Sequence, residues 1–365
     1  MSRKILLLII AMLGLIYYTS EKPSEISDKV MVHAIGIDER KDGYHLTMQI
    51  FTPEGSGAQT PIDPSSPNVS IIKGKGKTVS EAAEDCEHKL GGDVFLGQNR
   101  IILFGKDTDL SRHDELFGFF TSSGEAFMNV DCACAENSAE ELLSVPLESG
   151  SVASERFTRM ISSGKSTGCC ASCTLTELML SMNENSSTAI LPLFSAQKEK
   201  NSKDKLKSRS PIAIEKGALY VKGMFSGEIS CEEMALCAVL NGTGNHIRLE
   251  NNNAESSETV YEIRSRSVSA ETENGIPVFR IRLQAVPDRP NDSSDPKTRN
   301  KKYMELNRLL TERSQMLADR LCGSETADIL GTQRYLRRFY PALVRKYKNT
   351  PNLLTGCVKI KIEVL

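Results

Sequence analysis

One stretch limits what this chain can become. Residues 5–18 are apolar throughout, Ser2-Arg3-Lys4 before them is basic, and Thr19-Ser20-Glu21-Lys22-Pro23 after them is polar. A charged start, an apolar block and a polar exit are the parts of an export signal. As a helix, an apolar block of fourteen residues reaches ~21 Å, against a hydrocarbon core of about 30 Å. A comfortable transmembrane helix is longer, so residues 1–19 read as a signal peptide or a short membrane anchor. The rest of the chain is expected outside the cytoplasmic membrane and close to its surface. Tyr17-Tyr18-Thr19-Ser20 is a poor cleavage site for a signal peptidase that wants small residues. A lipoprotein carries a cysteine just after the apolar block; Ser20 stands there, and the first cysteine is Cys86.

No second apolar run approaches membrane length, so the remaining sequence has to bury its apolar residues in globular cores. A chain of 365 residues suits two or three domains. A net charge of −2 gives no basic surface for general nucleic-acid binding, and no nucleic-acid partner is expected.

The alternation of elements indicates an α+β protein: mixed α/β domains with separate sheets flanked by helices. Residues 29–38 and 44–51 form a hairpin about Asp42-Gly43. Residues 53–68 are rich in Pro, Gly and Ser and form a mobile loop within an N-terminal α/β domain at 20–195. A strand at 69–73 leads into a helix at 79–90, capped by Thr78 or Ser80 and stopped by Gly91-Gly92. A turn and a buried strand follow at 94–105. A helix is expected at 109–120, a strand at 127–135, and a Ser138-capped helix at 139–143. Further helices occupy 153–162 and 174–182. Residues 196–210, basic and almost without apolar side chains, read as a solvated linker between domains.

The C-terminal α/β domain, 211–365, opens with two short strands within 212–225 and a helix at 231–240 stopped by Asn241-Gly242. Two long alternating strands, 258–269 and 278–286, are joined through Asn274-Gly275. The longest helix, 301–321, carries an apolar stripe of Leu306, Leu309, Leu310, Leu317 and Leu321, which reads as core. Residues 357–365 alternate apolar and charged side chains as a half-exposed strand.

Chemistry-bearing motifs are sparse. Gly74-Lys75-Gly76-Lys77-Thr78 resembles half a phosphate loop, but the glycine required five residues earlier is Ile71, and a polar turn into a capped helix accounts for it better. The ten cysteines include Cys132-Ala133-Cys134 and Cys169-Cys170-Ala171-Ser172-Cys173. Their spacing lacks the second pair of a structural zinc site, so buried or free thiols, or a disulfide, are the simpler reading. His33 and His45 could face each other across the first hairpin, with no further ligand beside them. No catalytic, cofactor-binding or metal-binding residue is assigned, and no cofactor is expected.

The order of several short motifs is nevertheless informative. Glu25-Ile26-Ser27-Asp28 and Ala34-Ile35-Gly36-Ile37-Asp38 precede Gly76-Lys77-Thr78-Val79-Ser80-Glu81-Ala82 and Phe95-Leu96-Gly97-Gln98. Then come Ile101-Ile102-Leu103-Phe104-Gly105, Leu191-Pro192-Leu193, Gly217-Ala218-Leu219-Tyr220, Asp328-Ile329-Leu330-Gly331 and Tyr340-Pro341. Over nearly its whole length the chain resembles the Ger(x)C family, the C subunits of nutrient germinant receptors in endospore-forming bacteria. The resemblance implies a non-enzymatic, membrane-tethered, extracytoplasmic α/β protein at the inner spore membrane. It would act there with integral-membrane A and B subunits in nutrient-triggered germination. Family members carry a lipid-bearing cysteine at the position of Ser20, so this chain is a divergent member and its apolar block is expected to serve as the tether. The alternatives are an exported enzyme acting on cell-wall or cortex material, and a thiol-metal module at Cys132, Cys134 and Cys169 to Cys173.

Overall fold

The computed structural model describes residues 29–51, 69–145, 152–183, 188–196, 212–249, 259–273, 276–287, 296–322, 328–346 and 359–364, together with Met12. The expected signal or anchor (Met12 apart), the Ser20 position, the loop 53–68 and the basic stretch 197–210 lie outside these residues. Among the described residues no helix is long and apolar enough to cross a membrane.

The first sheet begins with the hairpin of β1 (Val30–Arg40) and β2 (Gly43–Phe51), extended by β3 (Val69–Gly76). Helix α1 (Val79–Leu90) then crosses over to β4 (Val94–Phe95) and β5 (Ile101–Gly105), both parallel to β1. Helix α2 (His113–Ser122) leads to β6 (Asp131–Ala135), parallel to β5. Helices α3 (Ala139–Leu143) and α4 (Ala153–Ser166), the short strand β7 (Cys173–Thr174) and α5 (Leu175–Asn183) follow. Strand β8 (Thr188–Ala196) is parallel to β6, β9 (Ile212–Val221) pairs antiparallel with β8, and β10 (Met224–Ser230) pairs antiparallel with β9 at the edge of the sheet. The order is β10-β9-β8-β6-β5-β1-β2-β3, with β4 beside β1 and β7 beside β6.

The central parallel strands are apolar on both faces because helices cover both, as crossover connections require. Side chains sort by the two-residue period of a strand. Ile102, Phe104, Cys132 and Cys134 pack with α1, α2 and α5, whereas Ile101, Leu103, Ala133 and Ala135 pack with α3 and α4.

After β10 comes α6 (Cys231–Asn241), held at its start by a reciprocal capping box between Ser230 and Glu233. A second sheet, in the order β11-β12-β13-β14, is built from β11 (His246–Leu249), β12 (Thr259–Glu273) and β13 (Ile276–Pro287), closed by β14 (Lys359–Val364). Between β13 and β14 run α7 (Pro296–Cys322), α8 (Thr332–Phe339) and α9 (Pro341–Lys346). Leu306, Leu310 and Leu317 of the expected stripe are buried in this second core, with Ser314 donating to the Leu310 carbonyl between them. Leu309 is half-buried.

Residues 212–230, the opening stretch of the expected C-terminal domain, extend the first sheet. They are the outer two strands of the first sheet, and 197–211 connects neighbouring antiparallel strands of one sheet. The turn between β9 and β10 has Lys222 at φ 52° and Gly223 at φ 81°, the two positive values of a type I′ hairpin. Gly223 also lies against Ser111, whose N a Cβ on Gly223 would approach to 2.3 Å.

Helix α6 joins the two cores. All seven residues from Met234 to Leu240 are buried. Met234 and Ala238 belong to the core under the first sheet, and Leu236, Cys237, Val239 and Leu240 to the core of the second. A helix that is apolar all round is one enclosed on all sides.

Two expected elements are shorter than their apolar patterns. Helix α2 starts at His113 rather than 109, because the Asp109 carboxylate accepts the Ser111 N–H at 2.9 Å and its hydroxyl at 2.6 Å, holding a turn there. Strand β6 starts at Asp131 rather than 127, after a turn closed by Val130 N–H to the Phe127 carbonyl at 3.2 Å.

Candidate functional site

The resemblance motifs acquire structural roles. Asp38, buried at the end of β1, accepts the N–H groups of Ala139 (2.8 Å) and Glu140 (3.0 Å), while Ser138 accepts that of Glu141 (3.0 Å). Three of the unpaired N–H groups at the start of α3 are thereby satisfied. Gly36, two residues earlier, allows α3 to approach: a Cβ there would lie 2.9 Å from Ala139 Cβ. Glu39 accepts the Asp109 N–H at 2.9 Å and pairs with Arg112 at 3.2 Å. Arg40 and Lys73 both hold Glu140, at 2.8 and 2.7 Å. The end of β1 is therefore a polar hub that docks α3 and the turn before α2.

Burial raises the Asp38 pKa above its ordinary 3.8, against the opposing effect of the two N–H bonds. A carboxyl raised on folding favours the native state while protonated. That contribution is complete below the unfolded-state value and is lost as pH rises through the native one. Asp38→Ala is expected to cost about 2–4 kcal/mol by leaving two buried donors unpaired. The wild type's margin over the variant should narrow between about pH 4 and about pH 7, in denaturant titrations at each. A constant margin would show that Asp38 does not titrate in this way.

The half phosphate loop is a packing device. Gly74 and Gly76 lie under α1, where a Cβ on Gly74 would stand 2.0 Å from the Ala82 carbonyl oxygen and one on Gly76 2.4 Å from the Ala82 N. Thr78 caps α1 by accepting the Glu81 N–H at 3.1 Å, and Glu81 in turn accepts the Lys77 N–H at 2.7 Å. These N–H groups are committed to the cap.

The two hairpin histidines are not partners. His45 stands opposite Asp38 and its Nε2 is 3.0 Å from Asp42 Oδ1, whereas His33 sits at a bulge in β1 with its ring edge-on to Phe51 at 5.8 Å.

The cysteines are brought partly together. Cys132 and Cys173 are directly opposite across β6 and β7. Cys134 Sγ lies 3.3 Å from the Tyr220 hydroxyl, and Cys170 donates to the Ala171 carbonyl at 3.0 Å. Burial pushes the Cys134 and Cys170 thiols up to about 12 and drives Cys132 and Cys173 upward as well. Such thiols stay protonated at neutral pH, and it is the thiolate that attacks electrophiles and binds metals. Among the described residues no three His, Cys, Asp or Glu side chains stand close enough to share an ion.

A concave feature lies elsewhere, at the junction of the two sheets. A cleft of about 320 Å³ is bounded by α5, the start of β8, α6, Arg266 of β12 and residues 328–339. Asn241, at the end of α6, closes one side by donating to the Ile329 carbonyl at 2.7 Å, and Asp328 N–H donates to Thr188 Oγ1 at 3.2 Å. Nothing in the sequence singled out this cleft. Its walls come from both sides of the expected linker, and the one visible signal is the Asp328-Ile329-Leu330-Gly331 motif that lines it.

Fold and site thus define a two-sheet α+β protein with a cleft lined by arginines at the junction of its sheets. Family models agree in placing it among spore germination proteins. Residues 22–196 match the spore germination protein N-terminal domain, and residues 215–364 match the spore germination B3/GerAC-like C-terminal domain. The chain belongs to the Ger(x)C family of spore germination proteins. It is also similar to the GerBC protein, whose crystal structure aligns at 14% identity over 90% of this chain and 95% of that chain, with a TM-score of 0.48. No curated protein matches it.

Proposed function

We propose that this chain is a non-enzymatic C subunit of a nutrient germinant receptor, working in assembly with integral-membrane A and B subunits. It sits on the extracytoplasmic face of the inner spore membrane, tethered by residues 1–19 in place of a lipid on the residue at position 20. The reading rests on the two family models matching in order over 22–196 and 215–364. The chemistry of the thiols at Cys132, Cys134, Cys170 and Cys173 fits it, since burial keeps them protonated. A subunit of this kind transmits nutrient recognition by its surfaces, through docking on partners that span the membrane.

Deleting the gene is expected to abolish nutrient-triggered dipicolinate release, and the full-length chain supplied in trans to restore it. The A and B subunits should co-purify with it after mild detergent extraction of spore membranes. Normal nutrient germination of the deletion strain, with no paralogue present to compensate, would remove this reading.

A further inference from the structure

The junction cleft is cationic in a particular way. Three arginines line it, Arg266 from β12 and Arg334 and Arg338 from α8, against two carboxylates, Glu177 and Asp328. Both acids are engaged in holding their own helix starts. Glu177 accepts the Thr174 N–H at 2.8 Å and the Thr174 hydroxyl at 3.0 Å. Asp328 accepts the Thr332 hydroxyl at 2.8 Å and the Arg334 N–H at 3.2 Å. Arg266, exposed on β12, has no ion-pair partner among the described residues; partial burial lowers its pKa, opposed by Tyr335. Arg338 likewise has no carboxylate partner among them; its guanidinium lies 5.3 Å from the centre of the Phe339 ring.

Arginines without a counter-charge at the wall of a recess set up a positive potential that attracts an anion. Beside these charges the lining mixes polar residues, among them Ser181, Asn241 and Thr243, with apolar ones. Leu180 and Phe339, 58% and 56% exposed, are among the few large apolar side chains left open to solvent, and both line the cleft. Tyr335 lies between them and the arginines in chemical character: its hydroxyl is committed to the Val268 carbonyl, so it offers the cleft its ring. A volume of about 320 Å³ falls at the small end of ligand pockets, which run from about 300 to 1,000 Å³.

We infer that the cleft binds a small organic anion, a carboxylate or phosphate on a compact apolar body, with Arg266 and Arg338 supplying the counter-charge. The apolar body lies against Tyr335, Leu180 and Phe339. Because the walls come from α5, α6, β12 and α8, an occupant bridges the two sheets and links its own binding to their relative position. The inference stands on the cleft alone and does not depend on assembly with other subunits.

The full-length chain, purified in detergent, should be titrated calorimetrically with benzoate, phenyl phosphate and inorganic phosphate. At least one organic anion is expected to bind and raise Tm, with inorganic phosphate clearly weaker; the tighter of benzoate and phenyl phosphate identifies the preferred head group. Arg266→Gln and Arg338→Gln should each weaken that binding by about tenfold, the value of one charge-assisted hydrogen bond. The ligand-free Tm of both variants should stay unchanged, Arg338→Gln serving as the independent check because its side chain is exposed on α8. Three outcomes would overturn the inference: no binding of either organic anion at millimolar concentration, undiminished binding by both variants, or equal affinity for inorganic phosphate.

Discussion

Gly74→Val is expected to cost about 3 kcal/mol or more, at the upper end of what overpacking a closed contact costs. The new Cβ would meet the Ala82 carbonyl oxygen at 2.0 Å and Cys86 Sγ at 2.6 Å. Neither atom has room to yield. The carbonyl belongs to the backbone of α1, and Cys86 is fully buried with Val79 and Ala82 in the core that α1 covers. The helix would have to lift from β3 as a body, opening that core. Gly118→Ala is the control: it lies inside α2 with nothing within 4 Å of an added Cβ. It should stabilise by up to about 1 kcal/mol through helix propensity. Equal denaturation midpoints for Gly74→Val and the wild type would show that α1 does not seat on β3 as described.

The second large effect concerns α6. Leu240→Ala and Met234→Ala remove buried side chains from the second and the first core respectively. Each is expected to lower stability by about 2–5 kcal/mol, the usual range for such truncations. More informative is the shape of the transition. With one helix completing both cores, circular dichroism and calorimetry should show a single unfolding step in the wild type and in both variants. A variant in which one sheet melts before the other would show that the two cores are independent.

Local chemistry made much of the helical structure readable. Thr78, Ser138 and the Asn241-Gly242 stop mark the ends of α1, α3 and α6 because caps act within a few residues, and Gly91 and Gly242 take the left-handed values that end a helix, φ 70° and 82°. The β12–β13 hairpin was readable for the same reason. Strand β8 was not, since Pro192 within it argues against a central strand. It is accommodated because β8 meets β6 only at Leu193 and Phe194, beyond the proline. The attachment of β9 and β10 to the first sheet was hidden by an intervening stretch of charged residues, which signals solvent exposure and says nothing about which strands pair across it. The cleft was hidden more deeply. Arg266 and Arg338 are unremarkable surface residues in the sequence, and only the packing of β12 and α8 around the end of α6 brings them to one recess.

The late arrival of β9, β10 and α6 bears on how the molecule is made. The chain emerges from its N-terminus, yet the first sheet has β8 as an open edge until residues 212–230 are available to pair with it. Its second face lacks Met234 and Ala238 until α6 follows. An N-terminal fragment ending where the first family model ends, at residue 196, would expose that edge to any other strand, the usual route to aggregation. Completion of the first sheet is thus tied to synthesis of the second half. A chain released early would be unable to pass for a finished protein, and quality control in the cell would meet it as an open β-edge.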